Sequence, residues 1–321
     1  SSVTNAMRVR IVKCMAHHTE ATPTMRNRML TLLLILLLVA ACSPNSIEPK
    51  SAQRSAPVDG AESAAITLSS TVSNINVTPL TGDNLIDASV EYLGELKFDV
   101  TGTTARTINF VDELTTYSYS GREINWNVQL NPAVPLTLEV TSSSGNFDLN
   151  LRDFMLAGLE IHGSSGNMEL ALPASDAPYP VEITSSSGNL TAAVDVGGQV
   201  SFQSISGSSG NTTITAEAGS VVSADVMTSS GAITFVVMSG ASLDAELSSS
   251  SGNIVIDVPD DAAVRLDVRS QTSGNVTIPA NYTHTGNGDK TGVWQTDGYD
   301  DAEVQIDVVI TTLSSGNIEV R

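Results

Sequence analysis

The chain has 321 residues, with 15 Lys and Arg against 35 Asp and Glu, which gives a formal net charge of −20. This charge argues against nucleic-acid binding, because phosphate contacts require many Lys and Arg side chains. Two cysteines are too few for a disulfide scaffold or a four-cysteine zinc site.

A secretory signal peptide is predicted over residues 25–41. Arg26 and Arg28 precede an apolar run over residues 31–41, which is too short to span a bilayer comfortably. Residues 1–24 are expected to be an upstream extension that was wrongly assigned to the protein, so its Cys and His residues predict no metal site.

Cys42 is the predicted lipid-attachment residue. It follows Val39-Ala40-Ala41, and small residues before a cysteine resemble the bacterial lipobox, where the sulfur is diacylated. An ordinary signal peptide with an incidental cysteine is the alternative. The lipobox predicts a lipid-anchored, extracytoplasmic protein of the bacterial cell envelope, at the cell surface or outer membrane. Residues 42–65 are polar and lack periodicity, which predicts a flexible tether.

Strand-like alternation begins after the tether. Residues 66–135 alternate apolar and polar positions, as in Ile86, Ala88 and Val90, which predicts a β-rich N-terminal cap over the first coil of the repeats that follow.

A Ser-Ser-Gly-Asn motif recurs over residues 136–321. Its glycines follow one another at intervals of 21 or 22 residues, with a final interval of 42: Gly145, Gly166, Gly188, Gly210, Gly231, Gly252, Gly274 and Gly316. Apolar residues alternate on both sides of each motif, as in Val181 and Ile183 before the Gly188 motif. This combination predicts a right-handed parallel β-solenoid, or β-helix, with coils of 21–22 residues.

The repeated turns have two interpretations. Gly tolerates positive φ, and Asn tolerates it better than most residues, so the motif serves the turn itself. Stacked asparagines would also form an amide ladder, with Ala232 replacing one of them. The alternative is a Ser and Asn ledge that binds a ligand.

Two stretches resemble known bacterial repeats. Residues 126–172 contain Pro135-Leu136-Thr137-Leu138, Asp148-Leu149-Asn150-Leu151 and Leu172-Pro173, and they resemble the toast-rack families. The later Ser-Gly-Asn turns resemble the related adhesin-like β-strand repeats. This resemblance implies a non-catalytic β-solenoid of the envelope, and some relatives belong to stress-response systems. It supplies no catalytic residues.

Enzymatic chemistry has weak support. Polysaccharide lyases need basic residues, yet only five scattered ones follow residue 136: Arg152, Arg265, Arg269, Lys290 and Arg321. Glycoside hydrolases need a pair of carboxylates. Acids at alternating positions are expected to be solvated surface residues: Asp148, Glu169, Glu182, Asp257 and Asp267. His162 and His284 are isolated, and nucleophile-elbow, zinc-protease and phosphate-loop motifs are missing from the sequence.

Residues 279–302 interrupt the repeats with a Gly- and Asp-rich excursion. Asn287, Asp289, Thr291 and Gly292 match the first positions of a calcium loop, but Gly298 occupies the position of the bidentate acid. Other acids of the excursion, Asp297, Asp300 and Asp301, are expected to keep it solvated. Its aromatic residues, Trp294 and Tyr299, would form either an exposed docking tip or an anchor to the solenoid end.

The sequence therefore predicts a non-catalytic envelope lipoprotein without a cofactor. It would act as an adhesin-like module, a scaffold or a stress-response partner, attached to the membrane through its lipid anchor. Its partner would be an envelope protein or a glycan, and nucleic acid is excluded. A carbohydrate-active β-helix enzyme, either a polysaccharide lyase or a hydrolase, is the alternative.

Overall fold

The computed structural model describes residues 48–114 and 123–321. Two sheets account for every strand in these residues, and the single helical element is the 3₁₀ helix η1, Tyr299–Asp301. The prediction of an all-β parallel solenoid is confirmed.

The first sheet has fourteen strands. In spatial order they are β23 (Tyr282–Gly288), β24 (Thr291–Thr296), β20 (Ala263–Val268), β25 (Gln305–Ser315), β18 (Ser242–Ser251), β16 (Val221–Ser230), β14 (Gln199–Ser209), β12 (Tyr179–Ser187), β10 (Leu156–Ser165), β8 (Leu136–Ser142), β2 (Ser63–Ser70), β6 (Ala105–Glu113) and β5 (Glu95–Thr101), with β21 (Gln271–Ser273) also paired to β25.

The second sheet has twelve strands. In spatial order they are β1 (Lys50–Pro57), β4 (Asn84–Tyr92), β7 (Ile124–Leu130), β3 (Ser73–Pro79), β9 (Phe147–Asn150), β11 (Met168–Leu172), β13 (Leu190–Val194), β15 (Thr212–Ala216), β17 (Ile233–Val237), β19 (Ile254–Asp257), β26 (Ile318–Val320) and β22 (Val276–Thr277).

Each repeat contributes one strand to each sheet. A strand of the fourteen-stranded sheet runs to the Ser-Gly-Asn turn, and a shorter strand of the twelve-stranded sheet follows it. Successive coils pair in parallel and in register, so Ile161 lies beside Ile183, and Leu170 lies beside Ala192. These side chains point between the sheets and are buried. Because side chains alternate with a period of two, every coil adds its apolar set to one continuous core.

A second turn closes each regular coil at the opposite edge. Gly197, Gly219 and Gly240 occupy it with φ of 71°, 70° and 78°. In the first of these turns, the Gly198 N–H donates to the Asp195 carbonyl at 2.8 Å. The coil therefore has two different edges, one formed by the Ser-Gly-Asn turns and one by these second turns.

The order of the coils in space departs from their order in sequence at both ends. Strands β2 and β3 form the first coil of the chain, yet they lie between the β6–β7 coil and the β8–β9 coil. Strands β25 and β26 form the last coil, yet they lie between the β18–β19 coil and the coil containing β20 and β22. Each terminal coil therefore has ladder hydrogen bonds on both sides, which a coil at the end of the stack would lack.

The prediction of a flexible tether over residues 42–65 is wrong from residue 50 onward. Strand β1 pairs antiparallel with β4, with Ala52 opposite Val90, and strand β2 already begins at Ser63. The polar composition that suggested a tether belongs to an edge strand, in which Ala56 is buried while Lys50 and Arg54 remain exposed. Cations on an edge strand discourage pairing with another chain.

The predicted cap over residues 66–135 overlaps two coils of the solenoid. These are the β2–β3 and β6–β7 coils, which lack the Gly-Asn signature but still stack in register. Only the antiparallel strands β1, β4 and β5 lie outside the coil pattern at this end. The solenoid thus begins well before residue 136.

The predicted loop excursion over residues 279–302 is a β-hairpin followed by a 3₁₀ helix. Strands β23 and β24 pair antiparallel, and β24 also pairs antiparallel with β20. Trp294 of β24 is 8% exposed and belongs to the core, opposite Leu266. The hairpin therefore covers the C-terminal edge of the fourteen-stranded sheet.

Candidate interaction surface

The Ser-Gly-Asn turns form one edge of the solenoid. We call this the serine-asparagine edge and define it by the turn glycines and the residues next to them. In spatial order the glycines are Gly145, Gly166, Gly188, Gly210, Gly231, Gly252, Gly316 and Gly274. The turns are spaced by the inter-strand distance of about 4.8 Å.

Glycine is required at these turns for two reasons. Gly188, for example, has φ of 124°, which side-chain-bearing residues rarely adopt. A Cβ on Gly188 would also lie 1.9 Å from the carbonyl oxygen of Gly166 in the preceding coil. The backbones of successive turns are therefore in direct contact, and only glycine fits between them.

The asparagines form a ladder, but its bonds differ from those predicted. Each asparagine Oδ1 accepts a hydrogen bond from the backbone N–H at the same position of the next coil, as from Asn189 N–H to Asn167 Oδ1 at 3.1 Å. Among the asparagines of the Gly-Asn turns, a contact between two side-chain amides occurs within the described residues only from Asn189 Nδ2 to Asn167 Oδ1, at 3.2 Å. The ladder is interrupted at Ala232, whose side chain cannot accept a hydrogen bond from the backbone N–H of the next coil. The Ala232 N–H still donates to Asn211 Oδ1, at 2.9 Å.

Sequence reasoning missed two members of the ladder. Asn74 Oδ1 accepts from the Asn146 N–H at 2.9 Å, and Asn74 Nδ2 donates to Asn125 Oδ1 at 3.1 Å. Ser73 occupies the position of the turn glycine, so the Gly-Asn motif is absent there. The remaining signal was an asparagine directly before a buried residue, Ile75, as in the later coils.

The serines of the edge divide into two groups. At five turns, the serine directly before the glycine is bound to the neighbouring coil, as when Ser187 Oγ donates to the Ser164 carbonyl at 3.2 Å. The serine one position earlier is exposed, and none of these hydroxyls has a hydrogen-bond partner within the residues that the structure describes. They are Ser143, Ser164, Ser186, Ser208, Ser229, Ser250 and Ser314.

The outermost atoms of this edge are therefore neutral hydroxyl groups and asparagine NH₂ groups in a regular column. An open groove of about 390 Å³ runs beside them, and its lining includes Ser186, Ser208 and Ser229. Ser185, in the same groove, has a buried hydroxyl that makes no hydrogen bond to any described residue. The asparagine oxygens hold the coils together, whereas the serine hydroxyls and the amide N–H groups remain available to a ligand.

The acids considered for catalysis are spread over two sheets. Asp148 and Glu169 are neighbours on the outer face of the twelve-stranded sheet. Glu182 is exposed on the other sheet, where Glu160 lies beside it. Asp267 forms an ion pair with Arg269 at 3.3 Å. These carboxylates do not face one another across a cleft, as the two acids of a glycosidase do.

The fifth acid considered for catalysis, Asp257, lies beside the C-terminal residue in space. Asp257 is 3.8 Å from Arg321 Nε, so it belongs to a surface ion pair. His162 Nε2 lies 2.7 Å from Glu160 Oε1, also at the surface. These contacts agree with the expectation of ordinary surface residues.

The aromatic residues of the hairpin region anchor it. His284 stacks on Trp294, with ring centroids 4.2 Å apart and planes at 13°. Tyr299 is 7% exposed, and burial, followed by the nearby Asp307 carboxylate, raises its pKa to about 12. An exposed aromatic docking tip is therefore not formed.

The predicted calcium-loop residues fall at the hairpin turn. Asp289, Thr291 and Gly292 lie at or beside it, and the Asn287 side chain is outside those that the structure describes. Among the described residues, no group of three or more His, Cys, Asp or Glu side chains is arranged to hold a metal ion. Cys42, the signal peptide and residues 1–24 also lie outside the described residues. Within residues 48–114 and 123–321, no helix is long and apolar enough to cross a membrane.

Comparison with known proteins gives one family match. Residues 44–192 match the family described as the N-terminal domain of toast_rack, DUF2154. This agrees with the resemblance seen in the Pro-Leu-x-Leu and Asp-Leu-x-Leu motifs. No curated protein matches the chain.

Several solved structures are similar to the chain at low identity. One is described as "a putative cell adhesion protein" from Clostridium sporogenes, with 16% identity, a TM-score of 0.33, and coverage of 85% of this chain and 99% of that one. Another is "a putative adhesin" from Bacteroides fragilis, with 12% identity, a TM-score of 0.36, and coverage of 87% and 100%. At these TM-scores the likeness supports no conclusion about function.

Proposed function

We propose that this chain, whose residues 44–192 match the toast-rack N-terminal domain family, is a non-catalytic, adhesin-like interaction module of the bacterial cell envelope. The mature protein would be anchored through a lipid on Cys42 and would project the solenoid away from the membrane. Its partner would be a neutral glycan bound along the serine-asparagine edge.

The observation that carries this proposal is the repeated pattern of exposed hydrogen-bonding groups on that edge. Seven exposed serine hydroxyls and a column of asparagine NH₂ groups repeat at about 4.8 Å. Sugar hydroxyls both donate and accept hydrogen bonds, so a chain of sugar units can bind to such a column at several successive coils. Several weak contacts on one rigid surface add together, because each later contact forms at high effective concentration.

The charge of the protein favours a neutral ligand over an anionic one. The outer face of the fourteen-stranded sheet carries Glu139, Glu160 and Glu182 in register on three successive coils. These carboxylates repel acidic polysaccharides and anionic lipid headgroups. A lipid anchor, rather than a basic patch, would therefore have to hold the protein at a membrane.

A glycan array with the soluble Cys42→Ser protein tests the proposal. We expect binding to neutral glycans that is lost when Ser186, Ser208 and Ser229 are all changed to Ala. The matched control changes Thr191, Thr213 and Thr234 to Ala, three in-register hydroxyls on the outer face of the other sheet. Loss of binding in both triple variants, or in neither, would show that the edge is not the site.

Two further measurements test the non-catalytic role and the lipid anchor. Release of reducing ends from a bound polysaccharide would contradict a non-catalytic role and favour a carbohydrate-active enzyme. Metabolic labelling with palmitate should mark the wild-type protein and not the Cys42→Ser variant. Equal labelling of the two proteins would contradict the lipid anchor.

A further inference from the structure

The edge opposite the serine-asparagine edge is interrupted at one coil. The second turns stack regularly through Gly197, Gly219 and Gly240. The next coil in space begins with β25, and the chain enters β25 from the 3₁₀ helix η1 instead of from a second turn. The following second turn, Pro259 to Ala262, lies beyond this coil, because β25 separates β18 from β20.

This interruption leaves a cavity on each side of the segment 302–304. The first has a volume of about 420 Å³, and its lining includes Met238, Asp261 and Val304. The second has a volume of about 440 Å³. Its lining includes Val221, Asp244, Tyr299 and Asp307, and Glu303 lines both cavities. We call the two cavities together the missing-turn groove.

The groove exposes apolar side chains in an otherwise polar surface. Met238 is 41% exposed, Val304 is 40% exposed and Val221 is 47% exposed, and these are half of the large apolar residues that are exposed among the described residues. Grouped apolar side chains at the surface of a soluble protein commonly mark an interaction site.

The groove is also strongly acidic. Its lining includes the carboxylates of Asp244, Asp261, Glu303 and Asp307. Arg265 is bound to Asp307 Oδ2 at 3.0 Å, whereas Asp244, Asp261 and Glu303 have no ion-pair partner among the described residues. A charged donor entering the groove would therefore meet carboxylates that are not yet neutralised.

We propose that the missing-turn groove binds a protein segment that carries both apolar side chains and Lys or Arg. The apolar side chains would cover Met238 and Val304, while the basic groups would pair with Asp261 and Glu303, which line the same cavity. Charge complementarity selects this partner, because an acidic or neutral segment would leave the carboxylates unpaired after water is displaced. The site goes beyond the proposed glycan binding, since it lies on the opposite edge and differs in chemistry.

A peptide-binding experiment tests the groove. The probe is a fluorescein-labelled ten-residue peptide of alternating Leu and Lys, measured by fluorescence anisotropy at physiological salt with the Cys42→Ser protein. We expect binding that weakens at least fivefold in a variant carrying both Glu303→Gln and Val304→Ser. Both side chains are exposed, so the variant should keep the melting temperature of the parent.

Matched controls separate a specific groove from general attraction to an acidic surface. Glu217→Gln with Val196→Ser makes the same two changes at regular second turns and should alter binding less than twofold. A Ser-Lys peptide of the same length and charge should bind more weakly than the Leu-Lys peptide. Equal weakening in both variants, equal binding of both peptides, or no binding of the Leu-Lys peptide would overturn the proposal. Glycan binding should be the same in all these proteins, so this test is independent of the proposed function.

Discussion

Replacing Gly210 by Ala should destabilise the solenoid far more than replacing Gly219 by Ala. Both glycines belong to the same coil, and both have positive φ, 114° and 70°. A Cβ on Gly210 would lie 1.9 Å from the carbonyl oxygen of Gly188, whereas a Cβ on Gly219 would have nothing within 4 Å. The pair therefore separates the cost of the backbone conformation from the cost of the contact between coils.

The magnitude follows from the contacts at each turn. Gly219→Ala places an L-residue in the left-handed region, which costs about 1–2 kcal/mol. Gly210→Ala carries at least that cost, and it also forces two backbones apart by about 1 Å. The asparagine bonds on either side of this turn, Asn211 N–H to Asn189 Oδ1 at 3.0 Å and Ala232 N–H to Asn211 Oδ1 at 2.9 Å, then weaken or break.

Each lost hydrogen bond costs about 0.5–1.5 kcal/mol, so Gly210→Ala should lose roughly 2–5 kcal/mol in total. Urea unfolding followed by circular dichroism measures the free energies of unfolding, and the midpoint should shift at least twice as far for Gly210→Ala as for Gly219→Ala. Equal shifts would refute the argument, because they would show that successive turns are not in backbone contact.

Three further predictions concern the ladder, the core and one buried acid. Ala232→Asn should raise the free energy of unfolding by about 0.5–1.5 kcal/mol, because its Oδ1 would accept the N–H of the next coil and restore the ladder; an unchanged urea midpoint would contradict this. Ile256→Asp places a carboxylate at a position that is 0% exposed and should lower the free energy of unfolding by several kcal/mol, whereas Thr277→Asp, at an exposed position, should lower it only slightly. Equal melting temperatures of the two variants would mean that the assignment of inward and outward side chains is wrong. Burial raises the pKa of Asp112 despite a hydrogen bond from the Gly94 N–H, so its protonated form favours the folded state, and this contribution is lost as the pH rises through the raised pKa. Asp112→Asn should therefore raise the melting temperature at pH 7 but not at about pH 3, and the same gain at both values would exclude ionisation as the cause.

The sequence alone was sufficient for the architecture of the repeating part. The recurrence of Gly and Asn at 21–22 residues reports the length of a coil, and the alternation around Ile183 or Leu247 reports which side chains face inward. Both signals are local, because a turn with positive φ and a strand with one buried face each impose their own residue pattern. One interpretation of the motif was that it serves the turn itself, and the asparagine Oδ1 atoms do accept hydrogen bonds from the backbone N–H groups of neighbouring turns.

The two corrected segments were misjudged because their partners lie far away in the sequence. Strand β1 is polar along most of its length, and it becomes a strand only because β4 offers it a free edge. The hairpin of β23 and β24 carries Gly and Asp residues that suggest a loop, yet pairing with β20 orders it and buries Trp294. In both cases tertiary pairing overrides local propensity.

The order of the coils was decided only by the tertiary structure. The coil from 305 to 320 presents the same inward alternation and the same Gly316-Asn317 turn as its neighbours, so its pattern fits beside either the 242–257 coil or the 263–277 coil. A parallel ladder in register has no local feature that tells one coil from another. The hairpin and the 3₁₀ helix carry the chain outward and back, which lets the last coil enter between two earlier ones. The missing second turn, and with it the missing-turn groove, follows from that insertion and therefore could not be seen in the residues alone.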